Sequence, residues 1–201
     1  MNDAIETVKY KGHIIRLLQD TDAESPREWD NVGEILYTSS RYCLGDRRAD
    51  REEIDAIVER NDVIYLPVYA YIHSGTSLST RPFSCPWDSG QCGIIWCTKA
   101  KAVFEWGKKL CTKAVQDQTK ACLAGEIEVF NQYLNGEAVG YQIEGPLSED
   151  SCWGFWPEEN GKYDYCIGEA KSAIGYARKA EATRLRVQRQ QAQEVLQLTG
   201  N

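Results

Sequence analysis

The run Val63–Ile72, VIYLPVYAYI, constrains this chain more than any other segment. Its β-branched and aromatic residues suit a pleated surface rather than a helix, so the chain must assemble a sheet around it. Pro67 inside the run has no N–H to give to a ladder, which predicts an edge position or a bulge there. Residues 10–19 (YKGHIIRLLQ) and 34–38 read as further strands, and residues 93–98 return to strand character. Residues 138–144 and 151–156, separated by a Gly-Pro turn, read as a hairpin.

Helical periodicity fills the spaces between these strands. In residues 49–61, Asp50 precedes Glu53 in capping-box order, and Ile54, Ile57 and Val58 share one face. Residues 99–106 form a short helix, and residues 112–134 a longer one with Val115, Ala121, Cys122, Ile127, Phe130 and Leu134 near one face. From Asp164 the pattern is helical almost to the end, with Ile167, Ala170, Ile174 and Ala177 as an apolar stripe. The expected class is α+β: a mixed, mainly antiparallel sheet packed by helices, with a long C-terminal helix. Residues 1–166 are expected to form the globular domain and residues 167–201 a helical arm, polar and basic beyond about residue 178.

Composition narrows the class of protein. Apolar residues make up 42% and charged residues 26%, which excludes a disordered or fibrous chain. No stretch approaches the ~18 apolar residues of a membrane span. Residues 1–10 carry Asp3 and Glu6 and lack the apolar core of a signal peptide, so a cytoplasmic location and no membrane partner are expected. The eight cysteines include no C-x-x-C pair, and His13 and His73 are far apart, so no metal and no cofactor are expected. Without a secretory signal the thiols read as small buried hydrophobes rather than disulfides. Charge is uneven: residues 167–201 carry six basic and three acidic side chains, leaving −10 on the rest of a chain whose net charge is −7.

Residues 73–92, HSGTSLSTRPFSCPWDSGQC, read as a long loop, and loops of that length in compact domains are commonly functional. The loop offers His73, Ser74, Cys85, Asp88 and Gln91. Cysteine, histidine and a carboxylate are the parts of a thiol-dependent enzyme, which makes His73, Cys85 and Asp88 catalytic candidates. The other reading is a hydrogen-bonded loop anchored by Phe83 and Trp87. Trp29-Asp30-Asn31 and Trp87-Asp88-Ser89 both stand just ahead of a strand, as if Asp caps backbone amides while Trp packs beneath. Trp29, Asp30, Asn31, Trp87 and Gln91 are therefore binding candidates. So are Arg178, Arg184, Arg186 and Arg189 of the arm, beside Leu185, Val195 and Leu196.

Several of these strings occur together in one order: Pro26-Arg27-Glu28-Trp29-Asp30-Asn31, Arg41-Tyr42-Cys43-Leu44-Gly45-Asp46, Leu66-Pro67-Val68-Tyr69, His73-Ser74-Gly75, and PFSCPWDSGQ at residues 82–91. With Ser151-Cys152-Trp153-Gly154-Phe155, they resemble a widespread family of uncharacterised phage-encoded proteins over residues 10–157. The resemblance implies a viral or mobile-element origin, and with it the cytoplasm of the host cell. It assigns no catalytic residues. Ile72 stands where that pattern has an acidic residue, and Cys92 where it has a small aliphatic one.

The leading expectation is a non-enzymatic accessory protein that binds a host or defence-system protein, such as an inhibitor of restriction or CRISPR interference. A thiol-dependent enzyme using His73, Cys85 and Asp88 is the alternative. A nucleotide or nucleic-acid binder, or self-association, through the C-terminal helix is a further one.

Overall fold

The structure, a computed structural model, describes residues 3–73, 75–85, 87–147, 149–158 and 160–199, with side chains as far as residue 194. In chain order the elements are β1 (Glu6–Tyr10), β2 (His13–Gln19), β3 (Glu34–Tyr37), β4 (Arg47–Arg48) and α1 (Arg51–Val58). There follow β5 (Val63–Ile72), β6 (Thr76–Ser79), β7 (Ser89–Thr98), α2 (Lys99–Glu105) and α3 (Lys113–Leu134). The chain closes with β8 (Val139–Glu144), β9 (Asp150–Phe155) and α4 (Asp164–Thr199). The class is α+β with mostly antiparallel strands and a long C-terminal helix, as the periodicities require. The chain forms two compact units, Met1–Ala23 with Glu137–Asn201, and Glu24–Gly136.

The first unit is a four-stranded antiparallel sheet, β1-β2-β8-β9. The expected strand at residues 10–19 holds over His13–Gln19 as β2, but its first residues are the end of β1 and a hairpin turn, with Tyr10 opposite His13. Lys11 and Gly12 both have positive φ, 48° and 81°, the two-residue turn that joins twisted antiparallel strands most directly. α4 lays Cys166, Ile167, Ala170 and Ile174 on Ile15, Leu17, Val139, Tyr141 and Ile143. Burying each isoleucine contributes ~1.5–3 kcal/mol, so one apolar stripe suffices to seat the first turns of this helix.

The second unit is a five-stranded sheet, β4-β3-β7-β5-β6, antiparallel except for the short β3–β4 pair. α3 covers one face through Val115, Leu123, Ile127 and Phe130, against Ile35, Ile64, Val68, Ala70 and Ile95. The expected α3 stripe is corrected at Ala121, which is exposed; Thr119 and Leu123 are buried instead. The i, i+4 spacing of residues 115, 119, 123 and 127 sets the buried face, and Thr119 stays satisfied because its hydroxyl donates to Val115 O and accepts from Trp106 Nε1. α1 covers part of the opposite face with Ile54 and Ile57 on Leu36, Val63 and Ile94. Asp50 caps α1 by accepting from Glu53 N at 2.8 Å, while the Glu53 carboxylate pairs with Arg47.

β5 lies between β7 and β6, but β6 pairs only with Tyr69–Ile72. Pro67 therefore occupies a stretch whose outer edge is open, one residue from a register shift at Val68/Tyr69. Both features fit a residue that cannot donate. The expected loop at residues 73–92 is shortened at both ends by β6 and by the first residues of β7, whose serines pair across from Tyr69 and Tyr71.

Candidate functional site

The loop joining β6 to β7 brings His73, Cys85 and Asp88 together. Asp88 Oδ2 lies 3.5 Å from His73 Nδ1 and accepts a long 3.9 Å contact from Cys85 Sγ. The carboxylate thus stands between imidazole and thiol. A thiol nucleophile is activated by a base that reaches the sulfur, with the carboxylate behind that base. The order here is histidine, aspartate, cysteine. His73 is 67% exposed and Asp88 41%, so water reaches both groups. The loop is held by backbone groups: Ile72 N donates to Asp88 O at 2.9 Å, and the Ser89 hydroxyl donates to Cys85 O. Ser74 and Pro86 lie outside the described residues.

The expectation that each Trp-Asp turn packs its tryptophan beneath the turn is corrected at Trp87, which is 91% exposed. At the first turn Asn31, not Asp30, ties the backbone, its Nδ2 donating to Pro26 O and Trp29 O at 2.8 and 2.9 Å. Nor do the two turns meet. Glu34 at the start of β3 pairs with Trp96, whereas Trp87-Asp88 precede Ser89 at the opposite end of β7. At ~3.4 Å per residue those ends are roughly 24 Å apart.

Several motif residues have structural employment. Arg27, with its side chain 8% exposed, binds Asp46 through Nε and Nη2 at 2.9 and 2.7 Å, Glu126 through Nη1 at 3.0 Å, and Gly33 O at 2.7 Å. Glu126 Oε1 accepts from Val32 N and Gly33 N, and Asp46 Oδ2 from Ile35 N. Three loops are thereby fastened at the start of β3.

The faces of β5 reveal a surface with no such employment. Ile64, Leu66, Val68, Ala70 and Ile72 pack on the α3 side, and Val63 and Tyr65 on the α1 side. Strand alternation carries Tyr69 and Tyr71 to the α1 side as well. Across from them, Val68 pairs with Gly93 and Tyr69 with Gln91, leaving Cys92 as an extra residue. Cys92 packs on the α3 side with its thiol pushed up to about 11 by burial, and its carbonyl accepts from both Thr38 N and Thr38 Oγ1. This bulge re-aims Gln91 and Ser89 onto the face of Tyr69 and Tyr71.

α1 is too short to cover that face, and Tyr69 and Tyr71 remain half-buried and Gln91 exposed. The Tyr71 ring stacks with His73 at 6.4 Å and meets Phe83 at 5.8 Å. Where the face reaches α1, a cleft of about 760 Å³ is lined by Thr38, Arg48, Ala49, Asp50, Arg51 and Gln91. Arg47 is held by Glu34 and Glu53, but among the described residues Arg48 and Arg51 form no ion pair. Register opposite Tyr37 turns the Arg48 side chain to the α3 side, the Thr38 hydroxyl is spent on Cys92 O, and Gln91 Nε2 donates to Gly93 O at 3.3 Å, so Arg51 is the free cation beside the tyrosine face. Tyr69, Tyr71, Arg48 and Arg51 were not among the candidates from sequence. The signal for the two tyrosines is the alternation within VIYLPVYAYI, which puts aliphatic side chains on one face and tyrosines on the other.

The arm carries the remaining candidates. Arg178 donates to Lys11 O at 3.3 Å and Arg184 pairs with Glu181 at 2.9 Å. Arg186 and Arg189 are exposed, as are Leu185 and Val187 at 42% and 44%. The side chains of Val195 and Leu196 lie outside the described set. The cysteines divide more evenly than expected: Cys97 and Cys166 are buried, Cys43 and Cys152 exposed, and the other four intermediate. Among the described residues no helix is long and apolar enough to cross a membrane, and no group of three His, Cys, Asp or Glu could hold a metal. No family model, curated protein or solved structure matches this chain, so its site is read from geometry alone.

Proposed function

We propose that this chain is a phage- or mobile-element-encoded accessory protein that acts by binding a host protein without catalysis. Components of restriction or CRISPR defence are the first partners to test. The observation that supports this reading is the arm of α4. From Arg178 to Glu194 its side chains are exposed, with Glu181 alone intermediate, so the helix has no packed face over that length. The stability of a protein helix ordinarily comes from a packed apolar face, which this stretch lacks. Leu185 and Val187 amid five basic and two acidic residues suit an acidic protein surface.

The test is affinity capture from nuclease-treated host lysate, using the full chain, a chain ending at Ala177, and full-length Arg184→Glu/Arg186→Glu/Arg189→Glu. A stoichiometric protein held by the full chain and lost from both variants supports the proposal. Capture that is unchanged by charge reversal removes the arm from it.

A second reading, thiol chemistry at Cys85, draws on the convergence of His73, Asp88 and Cys85. It requires Cys85 to react with iodoacetamide at neutral pH faster than the equally accessible thiols, and Cys85→Ser to abolish function in a folded protein. A third, nucleic-acid binding by the arm, requires an affinity that falls steeply with salt.

A further inference from the structure

We infer that the open edge of β5 takes up an extended acidic peptide as an additional strand, in line with β6 and beneath the first half of α3. The inference is independent of the arm, because every residue it uses lies within Glu24–Gly136. Which backbone groups face that edge follows from the ladder. Asp62 O accepts from Lys99 N and Ile72 N donates to Asp88 O, so the even-numbered residues of β5 turn their backbone groups towards β7. The odd-numbered residues turn theirs outward. Tyr69 and Tyr71 meet Ser79 and Ser77 of β6, whereas Val63, Tyr65 and Pro67 lie beyond the end of that strand. The N–H groups of Val63 and Tyr65 and the carbonyls of Val63, Tyr65 and Pro67 thus form an unfilled ladder, the template for strand addition.

The slot beside this ladder is a cleft of about 530 Å³ that runs along Val63–Pro67 and is lined on its other side by Gln116 and Lys120 of α3. Further along, the same helix holds β6, where Asn131 Oδ1 accepts from Leu78 N at 2.7 Å. From Asn131 back to Lys120 the helix runs about 16 Å, matching the roughly 17 Å of the five open residues of β5. The helix therefore roofs one strand position that β6 fills over only part of its length.

Charge selects the occupant. Arg60, Lys99 and Lys120 line the cleft, and no carboxylate does among the described residues. Asp62, bonded to Arg60, offsets one of these three charges and leaves two, on a chain whose net charge is −7. Lys99 Nζ donates to Asn61 O, a neutral group, and Lys120 has no partner among the described residues. Two copies joined edge to edge would bring these cations together, so self-pairing is disfavoured and an acidic strand is favoured. In an added strand alternate side chains point to opposite faces. One set meets Lys120 on the α3 side; the other lies beside Tyr65, which packs on the α1 side and is half-buried. The preferred peptide therefore alternates acidic with apolar residues.

The experiment is a ¹H–¹⁵N NMR titration of the full chain, with amide hydrogen exchange, using a short peptide of alternating glutamate and valine. Its lysine–valine counterpart and two forms N-methylated at one or the other alternate set of amides are the controls. Support consists of saturable shifts at Val63, Tyr65 and Lys120, slowed exchange of the Val63 and Tyr65 amides, and loss of binding with one methylated form only. Lys120→Glu should weaken binding about 3- to 10-fold, the effect of reversing one exposed charge. Tyr65→Pro removes an outward N–H and should abolish binding; should that variant not melt with the parent, Lys120→Glu, on an exposed helix position, decides. Arg184→Glu/Arg186→Glu/Arg189→Glu should leave the affinity unchanged, which separates this edge from the arm. Absence of shifts at millimolar peptide, equal binding of the lysine peptide, or tolerance of both methylated forms would overturn the inference. So would protection of the Tyr65 amide that rises with protein concentration in the absence of peptide, since the edge would then belong to a second copy.

Discussion

Replacing Arg27 by alanine should destabilise the protein by roughly 3–4 kcal/mol, although the substitution touches none of the proposed binding residues. The magnitude follows from what the guanidinium leaves behind. It makes four hydrogen bonds of 2.7–3.0 Å from a position 8% exposed, and its two carboxylate partners, Glu126 and Asp46, are 11% and 23% exposed. Breaking a buried ion pair by removing one partner costs ~3–5 kcal/mol, because the other charge stays desolvated. The lower half of that range applies. Glu126 keeps the amides of Val32 and Gly33, Asp46 keeps that of Ile35, and Asp46 can recruit water.

Arg27→Lys retains the charge but loses the two-pronged contact with Asp46 and should fall between the two, at ~1.5–3 kcal/mol. Urea unfolding followed by tryptophan fluorescence reads both, with an unchanged slope and a melting temperature lower by roughly 10 °C for the alanine variant. In Arg27→Ala/Glu126→Gln the two losses should be less than additive, since each removes the same interaction. The reasoning is refuted if Arg27→Ala costs under ~1 kcal/mol, the value of an exposed pair. It is equally refuted if lysine substitutes without loss.

A Cβ at Gly93 would stand 1.9 Å from the Leu36 carbonyl oxygen, so Gly93→Ala must part β3 from β7 and should cost about 3 kcal/mol or more in the same unfolding assay. Mass-spectrometric alkylation should find Cys43 and Cys152 labelled first, and Cys92, Cys97 and Cys166 last, because burial pushes the last three up to about 11, 11 and 12. These thiols ionise in the unfolded chain near 9 but not in the folded one. Stability should therefore be intact below pH 9 and decline from 9 towards 11–12, by at most ~1.4 kcal/mol per pH unit per thiol; a flat profile there would contradict their burial. Trp87→Ala should change stability by less than ~0.5 kcal/mol, since the side chain is 91% exposed; a larger loss in thermal melting would mean that it packs.

Local periodicity made most elements legible. VIYLPVYAYI had to be a strand, Asp50 had to start a helix, and Ile167, Ala170 and Ile174 had to seat another, because each signal lies within one or two turns of chain. The hairpin at Lys11-Gly12 escaped because the flanking apolar residues read as one continuous strand, although Gly12 supplied the clue. Cysteine, histidine and carboxylate in one loop were legible as a set, but not their order in space. That order depends on which side of Asp88 each side chain falls, and composition carries no such information.

By itself the sequence determined the class of fold, the docked stripe of α4 and the exposed character of its later turns, since side-chain polarity at a fixed period decides which face meets water. Tertiary structure alone decided that residues far apart in sequence share one sheet face. Tyr69 and Gln91 come together through pairing of β7 with β5, and through one unpaired residue, Cys92. Strand pairing is a long-range choice made by the whole core, and a single extra residue in it inverts the facing of every side chain beyond.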